Sequence, residues 1–305
     1  MKLTNQFDLP DVVVEALTQS TYDKGDSTRS VTQLIDSPRV GILQQEHDDE
    51  IEQDVVDFLW ARFGTGMHEM FEDATKGDQY TTEERVFYDR MGWNISGAID
   101  LLERTPDGLV IRDYKVTSKW SVIFGKDEWH NQMNAYGWLL RHGKASYGIK
   151  DISVCRLEIV AIIRDWQRRE AEKDRNYPQS PIHIIDIPIW SDQEQDDYMD
   201  GRIELHQSAA FQRLTKQELP LCSDEERWRK PTKWAIKKGK NIRAVRVLNT
   251  EEEADDFLAT KDSAHHIEKR PGECTRCVQN WCRVNEWCQQ YQLDLLELPR
   301  EESND

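Results

Sequence analysis

Between residues 85 and 116 the hydrophobic period becomes that of strands, in three runs: Arg85 to Tyr88, Trp93 to Leu102 and Leu109 to Val116. Asp89-Arg-Met-Gly92 and Thr105-Pro-Asp-Gly108 separate them, and both are turn sequences. Strand runs joined by tight turns predict a three-stranded antiparallel meander. Upstream, Ser30-Val-Thr-Gln-Leu-Ile reads as a capped helix start. Asp48 to Ala61 places Ile51, Val55, Phe58 and Leu59 at helical spacing, Gly64-Thr-Gly66 is expected to interrupt it, and a second helix is expected over Met67 to Ala74. Downstream, Trp129 to His142 reads as an amphipathic helix, Ser153 to Arg164 as a buried strand, and Ile182 to Trp190 as another strand around Pro188. Past Ser191 come a long polar helix (Gln193 to Leu219), a basic turn-rich stretch, a short helix (Glu251 to Lys261) and a cysteine cluster. The expected organisation is a flexible arm over 1–27, a core over 28–190, a helical, basic and cysteine-rich module over 191–298, and a disordered tail over 299–305.

A chain of 305 residues, 38% apolar and 32% charged, can bury a core without disulfides, and this composition excludes disordered and low-complexity classes. No apolar stretch approaches the roughly 20 residues of a membrane span. Met1 to Ser20 lacks a basic start followed by an apolar core, so the expected location is cytoplasmic, host cytoplasm for a virus-encoded chain. The net charge of −17 argues against a protein that coats nucleic acid non-specifically. Yet Arg227 to Arg246 holds nine basic residues and no acidic one. Arg229, Lys230, Lys233, Lys237, Lys238 and Lys240, interleaved with Trp228 and Trp234, form a candidate nucleic-acid strip. The competing reading is a solvated loop that balances an acidic body.

The chemistry concentrates on the meander. In Gly97-Ala-Ile-Asp100 and Ile111-Arg-Asp113-Tyr-Lys115, alternation puts Asp113 and Lys115 on one face, and the hairpin brings Asp100 beside them. Paired carboxylates repel, and a hard divalent cation held by oxygens relieves the repulsion. Lys115 would then orient or activate a water. A lone Asp-x-Lys is more often a solvated ion pair, so the neighbours matter. Gln132-x-x-x-Tyr136 presents two polar groups on one helix face, and His68, in Gly64-Thr-Gly-Met-His68, can ligate metal.

Together, in this order, Gly64-x-x-x-His68, Gly97-x-x-Asp100, Asp113-x-Lys115 and Gln132-x-x-x-Tyr136 resemble the RecB-like branch of the PD-(D/E)XK nuclease superfamily, over about residues 28–165. The resemblance implies an α/β, restriction-endonuclease-like fold, a central mixed sheet flanked by helices, that cuts phosphodiesters with Mg²⁺ or Mn²⁺. It implies metal at His68, Asp100, Asp113 and the Tyr114 carbonyl, and a water served by Lys115. Gln132 and Tyr136 would brace the site or touch the DNA backbone. Glu84 or Glu83 could add a carboxylate, and the sequence does not choose between them.

Five of six cysteines lie after residue 220: Cys222, Cys274, Cys277, Cys282 and Cys288. Their density fits a thiolate-bound zinc ion or iron–sulfur cluster. Several RecB-type nucleases, CRISPR adaptation nucleases among them, close a [4Fe–4S] cluster with C-terminal cysteines, but take the first ligand ahead of the nuclease motifs. This chain has no cysteine before Cys155, so the cluster type stays open. Similarity of Leu221 to Trp228 and the late cysteines to phage-type members favours Cys222, Cys277, Cys282 and Cys288, with Cys274 as substitute. Cys155, in an apolar strand, reads as core. The functional expectation is a metal-dependent DNA exonuclease in recombination, repair or viral DNA processing. Its partner would be DNA, with a recombination or single-strand annealing protein beside it. The alternatives are a non-catalytic DNA-end or partner-binding protein and an RNA-processing nuclease.

Overall fold

The computed structural model describes residues 1–19, 25–143 and 153–297, so the expected tail over 299–305 lies outside the described residues. The chain forms two compact units, one of residues 1–38 and 48–218, the other of residues 39–47 and 219 onward.

In the first unit, β1 (Lys2–Thr4) pairs in parallel with β3 (Glu52–Asp54), and α1 (Asp11–Thr18) follows β1. A mobile arm was the expectation here; instead backbone pairing to residues some 50 positions away holds its start. The core sheet is built on the meander β4 (Tyr80–Arg90), β5 (Trp93–Thr105) and β6 (Gly108–Thr117). Met91 and Gly92, with φ of 51° and 79°, make the two-residue turn between β4 and β5, whose left-handed conformation suits glycine and matches strand twist. β6 runs parallel to β7 (Val154–Ile163), and β7 pairs antiparallel with β8 (Ile182–Ile187). On the edge of β5 away from β4, the short β2 (Arg29–Ser30) pairs with Ile95 and Ser96, while β6 pairs only from Leu101 onward. The sheet is therefore mixed, as expected.

Helices cover it. Ser30 caps α2 (Val31–Ile35) in a reciprocal capping box with Gln33. α4 (Leu59–Ala74) is one helix straight through Gly64 and Gly66, not two meeting there; two glycines cost about 1 kcal/mol each, too little to break a helix. Asp48 to Phe58, expected to be helical, supplies β3 and a 3₁₀ turn, because Asp54 caps the turn through its side chain instead of continuing a helix. The short α5 (Lys119–Phe124) precedes α6 (Asp127–His142), which buries Trp129, Met133, Tyr136 and Leu139 against the sheet. α7 (Arg168–Lys173) is a surface turn.

α8 (Asp192–Leu214) lies in the first unit, so the boundary expected near residue 191 falls after residue 218. Its polar sequence hides a buried stripe of Gln195, Met199, Ile203, His206 and Ala209. α8 also closes the end of α2. Arg202 donates to the carbonyls of Leu34 and Asp36 (2.7 and 2.6 Å), and His206 Nε2 reaches the same two oxygens (3.1 and 3.2 Å). Helix-end carbonyls without a helical partner are thus satisfied.

In the second unit, β9 (Lys233–Lys238) is the centre of an antiparallel sheet between β10 (Arg246–Leu248) and β11 (His265–Arg270). α9 (Glu251–Ala259), with a Thr250–Glu253 capping box, connects them. α3 (Pro38–Glu46), α10 (Thr275–Val278) and α11 (Gln289–Glu297) complete it. Arg39 donates to the carbonyls of Leu219 and Pro220, and His47 stacks on Trp287 at 4.5 Å. No helix among the described residues is long and apolar enough to cross a membrane.

Burial and the nearby Arg202 hold His206 down at about 4, against about 6.5 in an unfolded chain. The unfolded state therefore binds more protons between these values. This contribution, up to about 3 kcal/mol, is full above pH 6.5 and lost as pH falls towards 4. His206→Gln, which keeps a donor, should flatten that part of the stability–pH curve measured by denaturant unfolding.

Candidate active site

The ladder between β5 and β6 runs from Thr105–Gly108 to Leu101–Arg112 and stops. One position further, the strands part. There the Asp100 carboxylate accepts the Tyr114 backbone N–H at 2.7 Å, replacing the carbonyl an intact ladder would have offered. Asp113 follows Arg112 and is almost fully buried. Its Oδ2 lies 2.6 Å from the Lys115 ammonium and its Oδ1 accepts from Gln132 at 3.1 Å. Gln132 in turn donates to the Tyr136 hydroxyl at 2.8 Å, so the two polar residues one turn apart on α6 act on the same strand. Gly97 explains how closely they approach. A Cβ there would come within 2.7 Å of Leu139 and 2.9 Å of the Tyr136 ring, so only glycine lets β5 lie against α6.

α4 supplies the opposite wall. Tyr114 points the other way from its neighbours and stacks on Phe71 at 4.5 Å. The Tyr114 carbonyl can only accept, so His68 Nε2 carries the proton in their 3.1 Å hydrogen bond. Nδ1 is left facing Asp100 Oδ1 at 3.5 Å and Glu83 Oε1 at 3.7 Å. Gly64, one turn before His68, lines the same cleft, about 810 Å³.

His68, Glu83 and Asp100 offer ligand atoms all within 4.8 Å of one another. The open choice between Glu83 and Glu84 falls to Glu83. It stands opposite Asp100 in the register, but with φ of 49° it drops out of the ladder and turns its carboxylate inward. Glu84, one residue on, is buried and does not line the cleft. No sequence pattern marks that left-handed glutamate.

Burial, then the neighbouring Asp113, push Asp100 up to about 7. Burial works against charge on His68, yet Glu83, Asp100 and Asp113 together raise it to about 9. Lys115 is likewise raised, against burial, chiefly by Asp113. Three carboxylates thus crowd one imidazole and one ammonium, a donor set of hard oxygens and one nitrogen that fits Mg²⁺ or Mn²⁺.

In the second unit, Cys274, Cys277, Cys282 and Cys288 are buried and Cys222 is half-buried. Gln290, two residues after Cys288, clasps the backbone N–H and carbonyl of Cys222 at 2.8 and 3.0 Å. Arg227 is buried, pairs with Asp294, and meets the Cys274 and Cys277 thiols. Burial pushes the Cys277 and Cys282 thiols up. Cys155 sits on β7 near Thr105.

Most of the basic strip has acidic neighbours, though the pairs are exposed. Arg229 pairs with Asp224, Lys230 with Glu273, Lys237 with Glu268 and Lys238 with Asp262, while Lys233 bonds Asn249. Lys237 and Lys233 lie on β9, not in a loop. Lys240 lies in the turn after β9.

A solved structure titled "Crystal structure of SSO0001" is similar over 64% of this chain and 85% of that one, at 18% identity and a TM-score of 0.43. No curated relative matches. A family model described as the PD-(D/E)XK nuclease superfamily matches residues 13–289, which takes in every active-site residue named above. With that match spanning most of its length, the chain belongs to the PD-(D/E)XK nuclease superfamily.

Proposed function

We propose that the protein is a Mg²⁺- or Mn²⁺-dependent DNA exonuclease serving recombination, repair or viral DNA processing. One observation carries the reading: Asp100, Asp113 and Lys115 converge with His68, Glu83 and Gln132 in a single cleft. A divalent ion held by His68, Glu83 and Asp100, with Asp113 and the Tyr114 carbonyl beside it, would polarise the scissile phosphate and lower the pKa of a water. Lys115 orients that water. Asp113 holds the ammonium, Gln132 holds Asp113, and Tyr136 holds Gln132, so the group is in place before substrate arrives.

The test is digestion of end-labelled linear DNA with Mg²⁺ or Mn²⁺, beside covalently closed circles and RNA. Linear DNA should shorten from its ends while the other two persist. Asp113→Asn and Lys115→Ala should each lower the rate at least ~10²-fold, with thermal unfolding showing both still folded. Cleavage at wild-type rate in both would remove the site; digestion of RNA alone would favour the RNA-processing reading.

The cysteines we assign to a structural [4Fe–4S] cluster or zinc ion, through Cys222, Cys277, Cys282 and Cys288. The clasp of Gln290 on Cys222 beside Cys288 supports Cys222 as a member of this set. Anaerobically purified protein should contain iron or zinc by elemental analysis. Cys222→Ser and Cys282→Ser should lose it and destabilise the second unit, because ligation contributes folding energy, whereas Cys274→Ser should keep it.

For the basic strip, Lys238, Lys240 and Arg243 are the groups to test, being exposed at the end of β9. Neutralising all three should lower the log–log salt slope of duplex binding by up to ~0.9 per lost phosphate contact. An unchanged slope would make the strip a set of internal ion pairs.

A further inference from the structure

Two pairs of exposed aromatic side chains lie near the end of the catalytic strand. β6 carries Asp113 and Lys115, ends at Thr117, and leads through Ser118 into α5, where Trp120 and Phe124 are 55% and 78% exposed. Their rings are nearly parallel, 10° apart in plane with centroids at 5.7 Å. On the first turns of α4, Trp60 and Phe63 are about half exposed, and Trp60 lines the same cleft as Asp113 and Lys115. Arg164 joins the two groups: its backbone N–H donates to the Thr117 carbonyl at 2.9 Å, and its guanidinium lies 4.5 Å over the Trp60 ring. Lys119 reaches over Trp120 at 5.4 Å, and its backbone N–H is fixed by Asp165 at 2.7 Å. Lys119 also lies over Tyr177 at 5.6 Å, and among the described residues neither the Arg164 guanidinium nor the Lys119 ammonium is in an ion pair.

Exposed aromatic planes are costly to leave in water and are uncommon without a partner. Partly exposed rings, each with a cation beside it that no carboxylate neutralises, suit a strand that offers bases for stacking and phosphates for charge, and a duplex hides its base faces. We infer that this shelf, Trp60 and Phe63 on one side and Trp120 and Phe124 on the other, binds an unpaired stretch of nucleic acid and feeds it to the cleft. The inference rests on the nuclease reading for its consequence: the substrate is single-stranded, or is a duplex end that must open.

The test uses the full-length Asp113→Asn protein, so that binding is read without cleavage, with fluorescein-labelled oligo(dT) and a blunt hairpin duplex as probes. Trp120→Ala with Phe124→Ala should weaken oligo(dT) binding at least ~10-fold, the effect of losing about one base-stacking contact, and duplex binding much less. Trp120→Phe with Phe124→Tyr should restore it. In the catalytically intact background, the alanine pair should raise KM for single-stranded substrate more than it lowers kcat. Unchanged oligo(dT) affinity in a folded alanine pair overturns the inference. It does so too if that pair alters only self-association by light scattering, since the shelf would then be a protein-docking face. The two readings fail separately: wild-type protein that binds oligo(dT) through the shelf but cuts no DNA with either metal sinks the nuclease reading alone.

Discussion

Everything at the candidate site follows from two strands that stop pairing. β5 and β6 separate after Leu101 and Arg112, and the backbone N–H of Tyr114 would be orphaned there. An unmade buried hydrogen bond costs about 1–3 kcal/mol, so something must take the ladder's place, and the Asp100 carboxylate does. That substitution fixes Asp100 in position and leaves its other oxygen towards His68. The same parting opens the edge of β5 to β2, whose Ser30 then caps α2. The gap is thus both a structural junction and the place where side chains from β4, β5, β6, α4 and α6 can meet.

The junction concentrates charge at a cost. Two unit charges 4 Å apart interact by about 4 kcal/mol near a protein surface, so three carboxylates in one cleft oppose folding unless cations answer them. Lys115 answers Asp113 directly, and His68 answers Glu83 and Asp100. Even so, burial first and Asp113 second hold Asp100 above the usual carboxylate range. A divalent cation bound there would relieve the repulsion between the carboxylates.

The parts of this arrangement that obey local rules are legible in the sequence. The meander follows from two turn sequences, and Asp100, Asp113, Lys115, Gln132 and Tyr136 follow from strand alternation and helical spacing on its elements. What local rules do not govern is hidden. Glu83 turns inward only because its backbone leaves the ladder. β1 is a strand because β3, far along the chain, offers an edge. α8 looks like a solvent helix, since Met199, Ile203 and Ala209 are thinly spread among polar residues and His206 and Gln195 complete its buried face. Gly64 and Gly66 look like a break but lie within α4.

An acidic protein that handles a polyanion has a particular problem. With a net charge of −17, long-range attraction cannot gather nucleic acid, and the cations of the C-terminal strip are mostly consumed by Asp224, Asp262, Glu268 and Glu273. Binding must then come from contacts that act at short range: ring faces against bases, a guanidinium or ammonium with no carboxylate partner, and metal against phosphate. Such contacts are less sensitive to salt than a basic track and more demanding of geometry. On the inference drawn above, Trp60, Trp120, Arg164 and Lys119 would meet that demand, since β6, the strand that carries Asp113 and Lys115, ends near them. Grip and chemistry would then both depend on where β6 ends, and a shift in its register would disturb the two together.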